Sequence, residues 1–225
     1  RRQRQMCIRD RTNTAIEFNN ADVTLSNNGT TTINTGSGAG GVTFGAKVET
    51  NGGGNDNLTI TSGEGNVTFT GSVGAGNSLG ALSVNASSGD GDITFSSTIG
   101  DSDSSGTSGT TAIGNDATEV IYFNNTLYSF DGGQTTITAK DGLNTRVSQA
   151  DTTIKVNGEA LRFDESALSL SSGANLTINS NGGAITAEKR IRNDAGGASL
   201  TINAGTTSGS TDTVSLAGIG FGDAM

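Results

Sequence analysis

The closest approach to a pair of catalytic carboxylates is Asp164 and Glu165, which follow Arg162 in the segment LRFDES. Enzymes that cleave polysaccharides use two carboxyl groups on one exposed face, one of them as a general acid. Because neighbouring residues of a strand point to opposite faces, Asp164 shares its face with Arg162 and Glu165 does not. An exposed ion pair is therefore favoured over an active site. The chain has no histidine, which removes the common nucleophile–base pairs.

Two acidic segments carry part of the pattern of a calcium-binding loop. In GGGNDNLTI at 52–60, turn carbonyls and Asp56 could coordinate a hard cation, but no second nonapeptide follows to share the ion. Asp101 and Asp103 have the early spacing of an EF-hand loop, in which Ala112 stands where the closing glutamate should be. A glycine–asparagine turn and a solvated acidic loop are favoured instead. The sequence thus predicts no catalytic, cofactor-binding or metal-binding residues and no cofactor.

Aromatic residues concentrate in the segment VIYFNNTLYSF, which contains Tyr122, Phe123, Tyr128 and Phe130. If exposed, these side chains could form a patch that stacks on sugars or contacts a protein. If buried, they would form the core of an irregular stretch of sheet. Burial is favoured.

The overall composition limits the fold and the partners. Apolar residues make up 32% of the chain and aromatic residues 4%, with 35 glycines, no proline and a net charge of −9. A chain so poor in apolar residues cannot fill a thick two-layer core, and disorder is the alternative. Its valine, isoleucine, leucine and phenylalanine residues nevertheless cluster in alternating triplets, which is strand patterning. The negative charge argues against nucleic acid and anionic membranes, and no apolar run is long enough to span a membrane.

A repeat of about 24–26 residues organises the chain. The segments GGVTFGAKVET, EGNVTFTGSVG and DGDITFSSTIG place valine or isoleucine, phenylalanine, and valine or isoleucine at intervals of 25 and 26 residues. The aligned positions are Val42, Val67 and Ile93, then Phe44, Phe69 and Phe95, then Val48, Val73 and Ile99. Ile33 and Leu58 lie nine residues before Val42 and Val67. Downstream, Leu176, Ile185 and Ile191 repeat these offsets of nine and six, with Ala187 where the earlier copies have phenylalanine.

Such a repeat predicts an all-β fold, a right-handed parallel β-helix (β-solenoid) whose coils stack at about 4.8 Å. Within each Val–Thr–Phe triplet the apolar side chains point inward and the threonine points outward. Phe44, Phe69 and Phe95 should therefore stack on one another inside the coils. The absence of proline agrees with this fold, because proline in a stacked strand removes a hydrogen bond.

Five segments can be distinguished along the chain. Residues 12–100 and 171–225 should form regular solenoid coils, the second set truncated. Residues 101–116 lack apolar pairs and should protrude as a loop, while 117–170 should be an irregular stretch of the same solenoid, with a small inserted β-domain as the alternative. Residues 1–11, RRQRQMCIRDR, hold the only cysteine, and their back-translation resembles a transposase adapter of sequencing libraries. We expect this segment to be an artefact without a structural role.

The repeat style, as in NLTITSGEGNVTFTGSVG and ASSGDGDITFSSTIG, resembles filamentous-haemagglutinin-like and β-strand-repeat adhesins of bacterial surfaces. The resemblance covers residues 30–100 and 172–217. It implies a non-enzymatic adhesive rod, secreted by an autotransporter or two-partner route and located outside the cell on the bacterial surface. Its partners would be glycans, cell surfaces or abiotic surfaces, held by multivalent contacts, and further coils of the same chain. Nucleic acid binding and membrane insertion of this segment are not expected.

Two other functions are compatible with a β-helix. A polysaccharide lyase or glycosidase would need a cluster of three or more acidic residues on one exposed face. A phage tail-fibre or spike segment would form a stable trimer.

Overall fold

The computed structural model describes residues 8–9, 13–52, 56–86, 89–102, 106–140, 144–194, 196–205 and 213–221. These residues form short β-strands joined by turns, and no helix occurs among them. In chain order the strands are β1 (Ile8–Arg9), β2 (Ile16–Phe18), β3 (Val23–Leu25), β4 (Thr30–Asn34), β5 (Val42–Phe44), β6 (Val48–Thr50), β7 (Asn57–Ser62), β8 (Val67–Phe69), β9 (Leu82–Ala86), β10 (Ile93–Phe95), β11 (Thr111–Ile113), β12 (Ile121–Phe123), β13 (Leu127–Phe130), β14 (Thr135–Thr138), β15 (Asn144–Val147), β16 (Thr152–Val156), β17 (Leu161–Asp164), β18 (Ala167–Leu170), β19 (Asn175–Asn179), β20 (Ile185–Ala187), β21 (Ile191–Asn193), β22 (Ser199–Asn203), β23 (Val214–Leu216) and β24 (Ile219–Phe221).

The strands form three parallel sheets around one core. Face A is the sheet β1-β4-β7-β9-β11-β14-β17-β20-β23, and face B is the sheet β2-β5-β8-β10-β12-β15-β18-β21-β24. Face C consists of two groups of strands, β3-β6 and β13-β16-β19-β22. Isolated β-bridges through Val73 and Ile99 connect β6 to β13. Each coil contributes to A, then B, then C, and each strand pairs with its equivalents in adjacent coils. The predicted parallel β-solenoid is confirmed.

The upstream register agrees with the predicted alignment. Val67 pairs with Val42 and Ile93, and Phe69 pairs with Phe44 and Phe95. Strand alternation explains why: β5, β8 and β10 each have a buried, a partly exposed and a buried residue in succession. The apolar residues therefore face the core and the threonines form an outward column, as predicted.

Five phenylalanine rings stack along the inside of face B. Adjacent ring centroids are 4.9–5.6 Å apart and the ring planes are within 3–9° of parallel. The rings belong to Phe18, Phe44, Phe69, Phe95 and Phe123. The spacing is close to the rise between paired strands, so the backbone ladder itself positions each ring on the next. The predicted inward stack of the three central rings is confirmed.

Tyr128 closes this aromatic column from face C. Its ring meets Phe123 edge-on, with centroids 4.5 Å apart and planes at 66°. The side chain is fully buried, and its hydroxyl oxygen accepts a hydrogen bond of 2.7 Å from the backbone N–H of Asn125. Phe123 and Phe130 are also buried, whereas Tyr122 points outward and is half-buried. Burial of the aromatic cluster is thus confirmed for three of its four members.

The downstream coils carry the repeat in a different phase from the one predicted. Leu176, Ile185 and Ile191 lie on faces C, A and B, whereas the upstream residues with the same offsets lie on A, B and C. Ala187 therefore does not replace a phenylalanine of face B, and that alignment is wrong. It pairs on face A with Phe163, which fills the core there.

The segments assigned as a protruding loop and as an irregular stretch contribute strands to the same three faces. Within 101–116, Thr111–Ile113 is a strand of face A between β9 and β14, and the buried Thr107 bridges to Leu79 and Phe130 on face C. Residues 103–105 lie outside the described residues. The offsets drift because coil length varies: Asn157 and Asn181 are 24 residues apart, whereas the bridged Leu79 and Thr107 are 107 − 79 = 28 residues apart.

Close approach of the backbone at a corner requires glycine at position 74. Gly74 has a φ of +65°, and a Cβ there would lie 2.1 Å from the carbonyl oxygen of Gly106 in the next coil. A side chain would therefore both strain the turn and push the coils apart.

Replacing Phe69 by alanine should lower the free energy of unfolding by about 4 kcal/mol, because it opens a cavity in the middle of the ring stack. The matched control is Thr68→Ala on the outward side of the same strand, which should change stability by about 0.5 kcal/mol or less. Urea unfolding followed by circular dichroism measures both. Equal losses for the two variants would contradict the inward stack.

Burial should make stability sensitive to alkali through Tyr128. Burial raises the pKa of the Tyr128 phenol above its ordinary value, an effect that the hydrogen bond from Asn125 opposes only in part. The unfolded phenol ionises near pH 10 while the folded one stays neutral, so the unfolding free energy should fall by about 1.4 kcal/mol per pH unit above that value.

Tyr128→Phe should remove this component of the alkaline slope, whereas Tyr122→Phe should retain it. Urea titrations at pH 8, 10 and 11 compare the two variants with the parent chain. Identical slopes for the parent chain and Tyr128→Phe would show that the phenol is not protected.

Candidate functional site

The outward side chains of the three faces are the surface available for contacts. Because coils repeat, residues in register form columns that run along the solenoid. Charges or amides replace threonine in one column on face B and one on face C, and at Arg162 and Asp164 on face A. They lie in the part of the solenoid that begins near β12.

A shallow groove of about 260 Å³ crosses face C. Its floor column is Ser129, Lys155 and Asn179, which are register partners on β13, β16 and β19. The side column at the corner is contributed by the turns after the same strands and consists of Asp131, Asn157 and Asn181. Lys155 makes no ion pair among the described residues. The groove therefore presents one cation, one carboxylate and several amides over three adjacent coils.

Asparagine ladders bond the coils together beside this groove. The Nδ2 of Asn181 donates to the Oδ1 of Asn157 over 2.6 Å, and the Nδ2 of Asn203 donates to the Oδ1 of Asn179 over 2.7 Å. Each amide in such a pair uses one end, so the other end is available to solvent or to a ligand. The arrangement can hydrogen-bond hydroxyl groups.

Ion pairs lie on the outward side of face A at β17 and in the next coil. The Nε of Arg162 lies 3.1 Å from Asp164 Oδ1, and its Nη2 lies 2.9 Å from Glu188 Oε1 in the next coil. The hydrogen bond to Asp164 is the main cause that raises the pKa of Arg162, and Glu188 adds to it. Glu165 points elsewhere and pairs with Lys189 over 3.1 Å. The predicted Arg162–Asp164 ion pair is confirmed, and the two carboxylates of LRFDES each have a cationic partner.

Face B carries a column of two arginines separated by a serine. Arg146 is in register with Tyr122 on one side and Ser169 on the other, and Ser169 is in register with Arg192. The Arg146 guanidinium carbon lies 6.0 Å from the centre of the Tyr122 ring, a cation–π distance. Ser169 is fully buried although it lies on the outward side of its strand.

Sequence reasoning missed both the asparagine ladders and this arginine column. The asparagine ladders could have been found from the sequence, because their residues recur at the coil spacing. Asn157 and Asn181 are 24 residues apart, as are Asn179 and Asn203. The repeat is defined by its apolar residues, and without the register between coils the spacing of the polar residues does not indicate which face they occupy.

Asp56, the proposed ligand of the rejected calcium site, is a structural cap. Its carboxylate is fully buried, and Oδ1 accepts the backbone N–H groups of Asn27 at 2.8 Å and Asn28 at 2.5 Å. It thereby holds a turn of the preceding coil. Its Oδ2 has no hydrogen-bond partner, and the neighbouring residues 53–55 lie outside the described residues.

Among the described ranges, no group of three or more Cys, Asp or Glu residues is placed to hold a metal ion. Asp101 belongs to these ranges and Asp103 does not. A search of the same ranges for a helix long and apolar enough to cross a membrane found none.

Asp56→Ala should lower the unfolding free energy by about 3 kcal/mol, because two backbone N–H groups lose a charged acceptor inside the fold. The control is Asp22→Ala, which removes an exposed carboxylate 3.7 Å from Lys47 and should cost about 0.5 kcal/mol. Urea midpoints with and without added calcium measure both effects. A calcium-dependent rise in the parent chain that is absent from Asp56→Ala would establish a calcium site instead of a cap.

Comparison with protein-family models, with curated proteins and with solved structures found no match to this chain. The β-solenoid rests on the strand pairing itself, and the likeness to bacterial adhesins rests on the style of the repeat.

Proposed function

We propose that this chain is a structural and adhesive rod segment of a large secreted protein at the bacterial surface. The observation that supports this proposal is the unbroken parallel pairing of strands in faces A and B, each of which has nine strands. Nine strands at the spacing of a parallel sheet span about 40 Å, so the segment is a stiff spacer whose backbone is bonded from coil to coil. In a longer chain, each additional coil would lengthen the rod by about 4.8 Å.

Adhesion is supported by the way that the rod displays its polar groups. The outward columns present similar donors and acceptors at each coil, as in the Thr43–Thr68–Thr94 column of face B. One such contact is weak, but several contacts to one glycan or surface act together because the first raises the effective concentration of the others. The carboxylates described on face A have cationic partners, which favours a binding role over a catalytic one.

Retention of coated beads under flow tests this function. Beads carrying the chain at high density should be held on glycan-coated or plain glass, and beads with tenfold fewer chains should detach, because multivalent binding depends on density. Beads carrying an unrelated acidic protein are the control. Equal detachment of all beads from every surface would contradict the adhesive role.

Two parallel measurements separate the alternatives. Release of shortened chains from a panel of polysaccharides would identify a carbohydrate-active enzyme. A stable trimer in sedimentation equilibrium would identify a tail-fibre or spike segment. The proposed rod should show neither.

A further inference from the structure

The asparagine ladder at the corner of face C ends inside the groove of that face. Asn181 donates to the Oδ1 of Asn157, which leaves the N–H groups of the Asn157 amide without a partner among the described residues. The next position of this column upstream is Asp131, and no hydrogen bond joins its carboxylate to Asn157 in the described chain. Unbonded amide donors and a carboxylate therefore line the groove on its corner side.

The ladder on the floor of the groove ends at the same coils. Asn203 donates to the Oδ1 of Asn179, so the N–H groups of the Asn179 amide have no partner within the described ranges. The register partner of Asn179 upstream is Lys155, whose ammonium group is a donor only and cannot accept them. Lys155 and Asp131 line the same groove without forming an ion pair. The groove thus holds two amides and one ammonium group whose N–H donors are unused.

The charges of the groove favour an uncharged ligand. Lys155 and Asp131 contribute one charge of each sign, and the other lining residues are neutral, whereas the whole chain has a net charge of −9. An acidic polymer would be attracted by one lysine and repelled by the rest of the rod. A hydroxyl group both donates and accepts hydrogen bonds, so hydroxyl groups can satisfy the amides, the ammonium group and the carboxylate alike.

The strands beneath the groove disfavour a peptide as the ligand. β16 is hydrogen-bonded to β13 and β19, and β19 is hydrogen-bonded to β16 and β22. A peptide that binds by extending a sheet needs an open strand edge, and these two strands have none. The groove spans three coils, a distance of about 9.6 Å along the rod, which is comparable to the length of a disaccharide.

We propose that this groove binds a short stretch of a neutral polysaccharide. Lys155, Asn157 and Asn179 donate to oxygens of the sugars, and Asp131 accepts from a sugar hydroxyl group. Each of the two amides is already held by a hydrogen bond from the next coil, so less side-chain freedom is lost on binding. This inference rests on the proposed adhesive function and deepens it, because it assigns the rod one ligand class and one binding position.

Calorimetric titration of the whole chain with cellotetraose, laminaritetraose and maltotetraose tests the site. These neutral glucose tetramers differ only in their linkage, and we expect at least one of them to bind with a Kd of about 1 mM or tighter. Asn157→Ala and Lys155→Met should each weaken that binding about fivefold or more, because each variant removes hydrogen-bond donors from the groove.

Asn175→Ala and Lys47→Met are the matched controls. Asn175 also belongs to β19 on face C, but its amide already donates to Asp151 and accepts from Ser199. Lys47→Met removes the same charge from a lysine that is paired with Glu49 at 2.6 Å. Both controls should bind the tetrasaccharide as the parent chain does. Urea midpoints of all four variants check that they fold.

Polygalacturonate at low ionic strength tests whether the ligand is acidic instead. The expected result is weaker binding than that of the best tetrasaccharide. Tighter binding of polygalacturonate that is lost in Lys155→Met would overturn the neutral ligand class. Absence of binding by all three tetrasaccharides, or equal losses in the control variants, would overturn the site itself.

The bead assay distinguishes failure of this site from failure of the adhesive function. If beads carrying the parent chain are retained while calorimetry detects no tetrasaccharide binding, the adhesive rod stands and this site is refuted. If calorimetry gives the expected pattern but no beads are retained on any surface, the site stands and the rod is not adhesive.

Discussion

Every feature of this protein depends on the hydrogen-bond ladder that joins each coil to the next. One coil is a single thin layer and cannot bury its own apolar face, so the coil is stable only when its neighbours cover it. The parallel register then determines which side chains meet. It places Phe69 between Phe44 and Phe95 with rings 4.9–5.0 Å apart, and it does the same for the threonines on the outside. The same register therefore determines both the packing of the core and the arrangement of the outward side chains.

The same ladder explains how so few apolar residues suffice. Each inward side chain is covered above and below by its equivalents, and across the core by the other two faces. After the ring stack ends at Phe123, the core is filled by Phe163 on face A and by Tyr128 and Phe130 on face C. Polar corners are held by side chains that bond to the adjacent coil, as Asp56 does with the turn at Asn27 and Asn28.

Much of the fold was accessible from the sequence because strand alternation and a fixed repeat are local signals. The inward phenylalanines and the Arg162–Asp164 pair follow from residue spacing alone, and both are found. The sequence did not indicate which face each downstream strand joins. Offsets of nine and six residues occur both from face A to B to C and from face C to A to B. Pairing of Ala187 with Phe163 depends on the register across coils, which local spacing does not specify. The arginine column was missed for the same reason.

The polar columns show how one part of a repetitive fold can have a surface chemistry that differs from the rest. Most outward positions are small and neutral, so a few substitutions in register are enough to make a distinct surface. Arg146, Ser169 and Arg192 do this on face B, and the asparagine pairs do it on face C. Neither change disturbs the core, because alternation separates the two sides of each strand.

The change of phase between the upstream and downstream coils has a consequence for how such rods diversify. Leu176, Ile185 and Ile191 continue the solenoid although each lies one face earlier in the A–B–C order than its upstream counterpart. The same spacing of nine and six residues therefore fits more than one set of successive faces, and the smallest unit that the fold repeats is one strand with its turn, a third of a coil. A gene that adds or deletes a single such unit would rotate every later column by one face. The rod would keep its core while presenting its outward polar columns in a new direction.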